Sequence, residues 1–313
     1  MRKERESARA RNQYTDYIVR EPMELMAFLQ ARMPEASRTK IKGLLSKRLV
    51  YVDQQIVTQF NHPLEIGQKV QISRQKPSAA FHNNLLRLVY EDAYLLVVEK
   101  QPGLLSVSSE REKERTAVSI LTEYLRKSNK RARAYVVHRL DRDTSGLMMF
   151  AKDEQTQMRL RDDWHNTVYD RRYIAVLMGE MEKDSGTVES YLTDHKLYVS
   201  SSLEDDGGQL AITHYQTIRR GSGLSLVEMR LETGRKNQIR VHMADLGHPV
   251  AGDGRYGIED ANPLGRLALH AFKLCFYHPV TGERMHFETP YPASFKRVVT
   301  QNRPSKTEEQ PDE

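Results

Sequence analysis

The sequence predicts an α+β protein built from two folded parts, a small front unit and a larger one behind it. Three observations carry that expectation. Strand-like runs follow one another with helices interspersed and little strict β-α-β alternation. The chain has 313 residues, more than a single domain of ordinary size uses. Hydrophobic residues make up 39% and charged residues 29%, a balance that supports a buried core and excludes a fibrous or wholly disordered chain. No internal repeat is visible.

The elements follow in chain order. Residues 1–13, "MRKERESARARNQ", hold five basic and two acidic side chains without apolar periodicity, so a basic flexible arm is expected over 1–15. That stretch has no apolar core, and no secretory signal is expected. A small module spans 16–75. In it "EPMELMAFLQARM" starts a helix near Pro22 and sets Leu25, Phe28 and Leu29 on one face. "SRTKIKGLLSKR" gives a second helix, with Ser37 as N-cap and Ile41, Leu44 and Leu45 inward. Arg38, Lys40, Lys42, Lys47 and Arg48 put five positive charges on it with no acid among them. "LVYVD" and "GQKVQIS" read as short strands. Two helices with one basic face followed by strands suit RNA contact, with Arg38 and Lys42 as candidate phosphate ligands. The layout from "SRTKIKGLLSKRLVYVD" to "LEIGQKVQIS" is similar to a small RNA-binding domain named after a ribosomal small-subunit protein, the S-four-like domain. It departs from that pattern at Arg48, usually Gly, and at Asp53-Gln54, usually Asn-Gly.

Residues 76–84 form a Pro- and Ser-bearing linker, and the larger unit runs from 85 to 300. "YLLVVEK" is an apolar strand ending in a Lys, followed by the turn signal "QPG". "TAVSILTEYL" is a helix with Thr116 as N-cap and Val118, Leu121 and Leu125 inward. "YVVHRLD" and "GLMMFAK" are strands on either side of "HRLDRDTSG". "RRYIAVLMGE" alternates Tyr173, Ala175 and Leu177 with Ile174, Val176 and Met178, the period of a strand. "ITHYQTIRR" and "LSLVEMRLE" form a hairpin across "GSG". "KNQIRVHMADLG" is a helix with Ile239, Met243 and Leu246 inward and Gly247 closing it. The polar, Pro-broken residues 301–313 are expected to be a disordered tail.

The chemistry concentrates in "HRLDRDTSG". A loop held between two apolar strands keeps a rigid base and accessible side chains. Asp141 and Asp143 lie there among Arg139, Arg142 and His138. A carboxylate beside a guanidinium favours its ionised form, which suits a nucleophile or electrostatic stabiliser better than a general acid. Taken alone, the loop also fits a capping role for both aspartates. The stretches around it weigh against that. "HRLDRDTSGLMMFAK", "RRYIAVLMG", "LETGRKNQIRVHMADLGHPVAGDGRYG" and "LALHAFKLCFYHPVTGE" occur in that order, after "LVYEDAYLLVVEKQPGLLSV". Together they closely resemble the RluA-type pseudouridine synthases, the group of the RluC and RluD proteins, from about Leu85 to Phe295.

That resemblance implies a pseudouridine synthase fold with a mixed, mainly antiparallel central sheet and flanking helices. It implies isomerisation of a uridine within RNA to pseudouridine with no cofactor. The bond from sugar to base nitrogen breaks, the base turns, and it rejoins the sugar through carbon five, which then loses its proton. Asp141 matches the family's essential aspartate, acting on the sugar, on the base, or through a glycal route. Arg240 matches the arginine that pairs with it. Tyr173 matches the tyrosine that stacks on the target base and is a candidate to take the carbon-five proton. Asp143 falls at a variable motif position and is expected to serve the loop. Contacts to RNA are expected from His138, Arg139, Arg142, Thr144, Arg235 and Gln238. Seven basic side chains against one acid in residues 126–142 add a phosphate-lined approach. Asn237 stands where many relatives have His, which puts a supporting contact in doubt but not the reaction. The front module leans toward large-subunit ribosomal RNA, with transfer RNA the alternative; a non-catalytic RNA-binding or ribosome-assembly protein on the same fold is the rival in kind.

Bulk properties bound the rest. Forty-eight Lys and Arg against 42 Asp and Glu give a net charge of +6, which favours an anionic partner. The single cysteine, Cys275, excludes an intrachain disulfide and a thiolate zinc site, and reads as an inert buried thiol. His242, His248, Asp253 and His270 match no strong metal spacing, so no metal is expected. No apolar run reaches the length of a membrane span. The expectation is a cytoplasmic monomer.

Overall fold

A computed structural model describes residues 14–46, 49–53, 55–73, 81–108, 115–195, 198–257 and 262–300. The basic arm up to residue 13, most of the linker, Lys47, Arg48 and the tail from 301 lie outside them. The described residues fall into two compact units, one up to Phe81 together with Tyr124–Arg131, the other formed by His82–Glu123 and the chain from Ala132 onward.

The front unit joins β1 (Tyr14–Ile18), β2 (Met23–Glu24), α1 (Leu25–Arg32), α2 (Arg38–Ser46), β3 (Val50–Val52), β4 (Gln55–Ile56), β5 (Pro63–Leu64) and β6 (Lys69–Ser73). Its main sheet has the order β1-β6-β3-β4, and β2 pairs with β5. That short pairing explains why α1 begins at Leu25 rather than near Pro22: Met23 and Glu24 are committed to Leu64 and Pro63. Ser37 caps α2 as expected, its Oγ accepting from the Lys40 amide at 3.2 Å. Ile41 and Leu45 enter the core with Leu25, Phe28 and Leu29, while Leu44 packs at its edge. Asp53 adopts a left-handed φ of 45°, the conformation for which Asn is enriched at a turn, and its Oδ1 accepts from the Lys69 amide at 2.8 Å.

The larger unit begins with β7 (Leu86–Glu91) and β8 (Leu95–Lys100), then α3 (Ala117–Arg126), β9 (Tyr135–Val136), β10 (Ser145–Ala151), α4 (Glu154–Asp162), α5 (Trp164–Thr167) and β11 (Val168–Met178). It continues through β12 (Ser185–Asp194), β13 (Val199–Ser202), β14 (Gln209–Gly221), β15 (Leu224–Leu231), α6 (Gln238–Asp245), β16 (Leu269–Tyr277), β17 (Arg284–Glu288) and α7 (Ala293–Thr300). The sheet order is β13-β12-β14-β15-β11-β16-β10-β8-β7. Among the described strands, β10 and β16 make the parallel pair and the rest are antiparallel, the mixed, mainly antiparallel sheet expected of an α+β fold. Thr116 caps α3 reciprocally: its Oγ1 accepts from the Ser119 amide and Ser119 Oγ accepts from the Thr116 amide. The β14–β15 hairpin turns on Ser222 and Gly223, both at positive φ (61° and 68°), as a two-residue turn requires.

The centre of this sheet positions the site. Every residue of β10 is buried, so its start is anchored against cores on both faces. Gly146 pairs with Ala271 of β16 at φ 120°, and a Cβ there would lie 2.2 Å from the Ala271 carbonyl oxygen. Only glycine permits that approach. On α6, Ile239, Val241 and Met243 are buried. Leu246, expected inward, is 39% exposed, because the helix ends at Asp245 and Gly247 turns the chain away at φ 78°. Cys275 is buried in β16.

Candidate active site

The loop between β9 and β10 is pinned from its backbone. Ser106 Oγ donates to the Leu140 carbonyl at 2.6 Å and accepts from the Leu140 amide at 3.1 Å. Lys100, at the end of β8 and fully buried, donates to the carbonyls of Arg142 (2.7 Å), Leu104 (2.8 Å) and Gln101 (3.0 Å). Burial pulls its ammonium down to about 7, against the opposing pull of Asp143 and then Asp141. With main chain and apolar anchor fixed, Asp141 is left with its side chain 26% exposed.

Arg240 of α6 reaches this carboxylate, with Nη1 at 3.5 Å from Asp141 Oδ2. Its stronger partner is Asp253, in the loop after α6, which takes Nε and Nη2 at 2.7 Å each. Sequence reading missed this partnership, having weighed Asp253 only as a metal ligand. Asp253 is fully buried at its side chain and also accepts from the amides of Arg255 and Tyr256. Burial alone would raise its carboxyl; the bonds and charge of Arg240, helped by those amides, hold it below the ordinary value. For Arg240, burial works against the charged form, and Asp253 with Asp141 overcomes it. Asn237, whose identity put a contact in doubt, supplies one: its Oδ1 accepts from Arg240 Nη1 at 3.1 Å and its Nδ2 donates to the Tyr256 hydroxyl at 3.0 Å. The Tyr256 ring lies 5.1 Å from the guanidinium.

Tyr173 on β11 is 8% exposed. Burial raises its phenol above the ordinary value; Arg171 opposes this and Asp141 adds to it. Asp141, Arg240 and Tyr173, far apart in sequence, therefore share one electrostatic neighbourhood.

The expected RNA contacts divide. Arg139, Arg142 and Arg235 are exposed, and Arg235 Nε also donates to the Leu210 carbonyl. Arg38 and Lys42 are exposed on α2 of the front unit, where the Lys42 ammonium lies 5.9 Å from the Phe60 ring. The other three are engaged or covered within the fold. His138 Nε2 accepts from the Met149 amide at 3.0 Å, its Nδ1 is buried, and burial followed by the Arg171 charge lowers it to about 3. Gln238 is 2% exposed; its amide bonds Thr233 Oγ1, the Arg235 amide, the Ile212 carbonyl and Thr213 Oγ1. Thr144 is likewise 2% exposed.

The residues weighed as metal ligands have other work. His242 bonds Ser190 and Thr213, His270 bonds Ser145 and Thr289, and His248 bonds the Met178 carbonyl. Among the described residues no three His, Cys, Asp or Glu converge as a metal set, and no described helix is long and apolar enough to cross a membrane.

Comparison with known proteins finds relatives over most of the chain. The profile of the RNA pseudouridylate synthase family matches residues 94–245. The chain is 36% identical over 214 residues to the uncharacterized RNA pseudouridine synthase YjbO of Bacillus subtilis, covering 68% of this chain and 75% of that one. It is 31% identical to ribosomal large subunit pseudouridine synthase D of Nitrosomonas europaea (83% and 78% covered). It is 32% identical to the protein of the same name from Haemophilus influenzae (85% and 87% covered). Human RNA pseudouridylate synthase domain containing 4 shares the fold at a TM-score of 0.56 and 21% identity, over 68% of this chain and 91% of that one.

Proposed function

Because this chain belongs to the RluA-type RNA pseudouridine synthases, we propose that it isomerises uridines of large-subunit ribosomal RNA with Asp141 as the catalytic carboxylate. The observation that carries the assignment of Asp141 is its setting. It is a half-buried carboxylate, where Asp143 of the same loop is exposed; the loop's main chain is fixed by Ser106 and Lys100, and Asp141 faces a guanidinium that is itself fixed by Asp253. A group that must act on a sugar or base in a bound nucleotide gains most when it is held in place before substrate arrives.

Arg240 orients Asp141 and keeps negative charge there favourable. Tyr173 offers its ring to the extruded uracil; extrusion costs a few kcal/mol, which stacking and phosphate contacts offset. The raised phenol makes Tyr173 a poor proton acceptor near neutral pH, which favours ring contact as its role over removal of the carbon-five proton. Arg139, Arg142 and Arg235 are the exposed cations of this unit proposed to meet phosphates. The front unit, residues 16–75, serves as an S-four-like RNA-binding domain through Arg38 and Lys42. The ribosomal target rests on relatives whose names specify the large subunit.

Tritium release from carbon-five-labelled uridine in an unmodified large-subunit ribosomal RNA transcript tests the proposal. Wild type releases tritium, whereas Asp141→Asn binds the transcript and releases none. Full turnover by Asp141→Asn removes that residue from the mechanism. Release from transfer RNA alone moves the target.

A further inference from the structure

A cavity of about 350 Å³ opens between α5 and the ends of β11 and β15, lined among others by Trp164, His165, Tyr169, Arg171 and Arg230. Two carboxylates, Asp170 and Glu232, line it as well, and both are engaged by basic side chains other than Arg171. Asp170 is engaged by Arg172 at 3.0 Å and by Lys273 at 3.4 Å. Glu232 is engaged by His214 at 2.6 Å, with Arg230 at 4.0 Å. Arg171 is left with no carboxylate within ion-pair distance among the described residues, and its hydrogen bond there is a long one, 3.3 Å to the Thr233 carbonyl. The guanidinium lies 5.3 Å from the ring of Trp164, which in turn packs on His138 at 5.1 Å. A partly buried cation held on an aromatic ring without an anion is a site prepared for an external one.

Two features say which anion. Arg171 sits two residues before Tyr173 on the same strand, hence on the same face, and its charge is felt by both Tyr173 and His138. The cavity thus borders the proposed uridine site, through Arg171 beside Tyr173 and through Trp164 against His138, three residues before Asp141. At its outer end Tyr169 and Tyr277 pack at 5.1 Å, both partly exposed, with the Arg284 guanidinium 5.1 and 5.9 Å from their rings. Cations interleaved with exposed rings are what a single nucleic-acid strand uses for phosphates and bases. We propose that this groove binds the sugar–phosphate backbone of the RNA segment flanking the target uridine, with Arg171 as its phosphate ligand. The inference rests on the reading of the Asp141 cleft as the uridine site.

Trp164 is the chain's single tryptophan, so its fluorescence reports on the groove directly. Full-length protein is titrated with a short oligouridylate over a range of salt, and tritium release from the labelled transcript is measured in parallel. For Arg171→Gln, affinity for the oligouridylate weakens about tenfold and the salt slope falls by about 0.7. On the transcript KM rises about tenfold while kcat falls less than about threefold. Arg171→Lys restores the slope, which separates a lost charge from a lost fold. Unchanged affinity and slope in Arg171→Gln overturn the proposal, as does a loss confined to kcat. Should wild type bind RNA through Arg171 yet release no tritium, the groove stands and the uridine reading of the Asp141 cleft falls. Should turnover persist with an unaltered slope, only the groove falls.

Discussion

Acid should destabilise the catalytic unit from about pH 6.5 downward, before most carboxylates titrate, because three histidines there are held neutral by burial. Burial lowers His138 to about 3 and His242 and His270 to about 4, against about 6.5 in an unfolded chain. Between roughly pH 4 and 6.5 the unfolded chain therefore binds more protons than the folded one, and stability falls as pH falls. Each proton contributes about 1.4 kcal/mol per pH unit, so three give a slope near 4 kcal/mol per unit at about pH 5. A domain stable by about 5–15 kcal/mol loses most of that within two to three units, which places the acid midpoint between about pH 4 and 5. Denaturant titrations followed by Trp164 fluorescence at a series of pH values measure the slope. His270→Asn should remove about a third of it. A wild-type uptake of less than one proton on unfolding near pH 5 would refute the reasoning.

Other perturbations test the scaffold and the charges. Gly146→Ala forces a Cβ to within 2.2 Å of the Ala271 carbonyl at a positive φ, and should cost more than about 3 kcal/mol in thermal or chemical unfolding. Asp253→Asn leaves the buried Arg240 guanidinium without its bidentate partner; a loss of about 3–5 kcal/mol is expected, with tritium release falling at temperatures where the variant is still folded. Lys100, lowered to about 7 by burial from an unfolded value near 10.4, makes the wild type more stable as pH rises from about 7 to 10. In Lys100→Met that rise should vanish, and parallel curves for the two proteins would contradict it. Neutralising Arg38 and Lys42 together should weaken RNA binding and flatten its salt dependence by one to two counterions, with single-turnover rates at saturating RNA retained.

Legibility of the site in the sequence depended on whether a residue's role is local. The "HRLDRDTSG" string, "RRYIAVLMG" and "KNQIRVHMADLG" each match the RluA-type pattern over a few consecutive positions, so the resemblance named Asp141, Tyr173 and Arg240 together. Asp253 could not. Its role depends on the chain after α6 folding back so that a carboxylate 13 residues beyond Arg240 meets its guanidinium, and neither periodicity nor composition encodes that return. Gln238 is the complementary case: a polar side chain in a functional stretch looks like a ligand until burial shows its hydrogen bonds are spent on backbone and neighbouring hydroxyls. The Lys ending "YLLVVEK" was visible. Its burial under the loop was not, since a charge at a strand end is usually solvated.

The sharing of Arg240 between two carboxylates bears on how Asp141 can react under the proposed assignment. A forked pair uses both parallel N–H groups and draws the acceptor oxygens into the bond. Were Asp141 the forked partner, its oxygens would be occupied when a nucleotide arrived, and chemistry would first have to break a strong partly buried pair. Asp253 occupies that position instead, at 2.7 Å on two nitrogens, and with its amide bonds forms a fixed base for the guanidinium. Arg240 then presents Asp141 with one nitrogen at 3.5 Å, a nitrogen also engaged by Asn237. That contact is long enough to be electrostatic rather than a strong hydrogen bond. Asp141 thus has a cation that favours its charge and fixes its direction while an oxygen remains able to turn to the sugar or base.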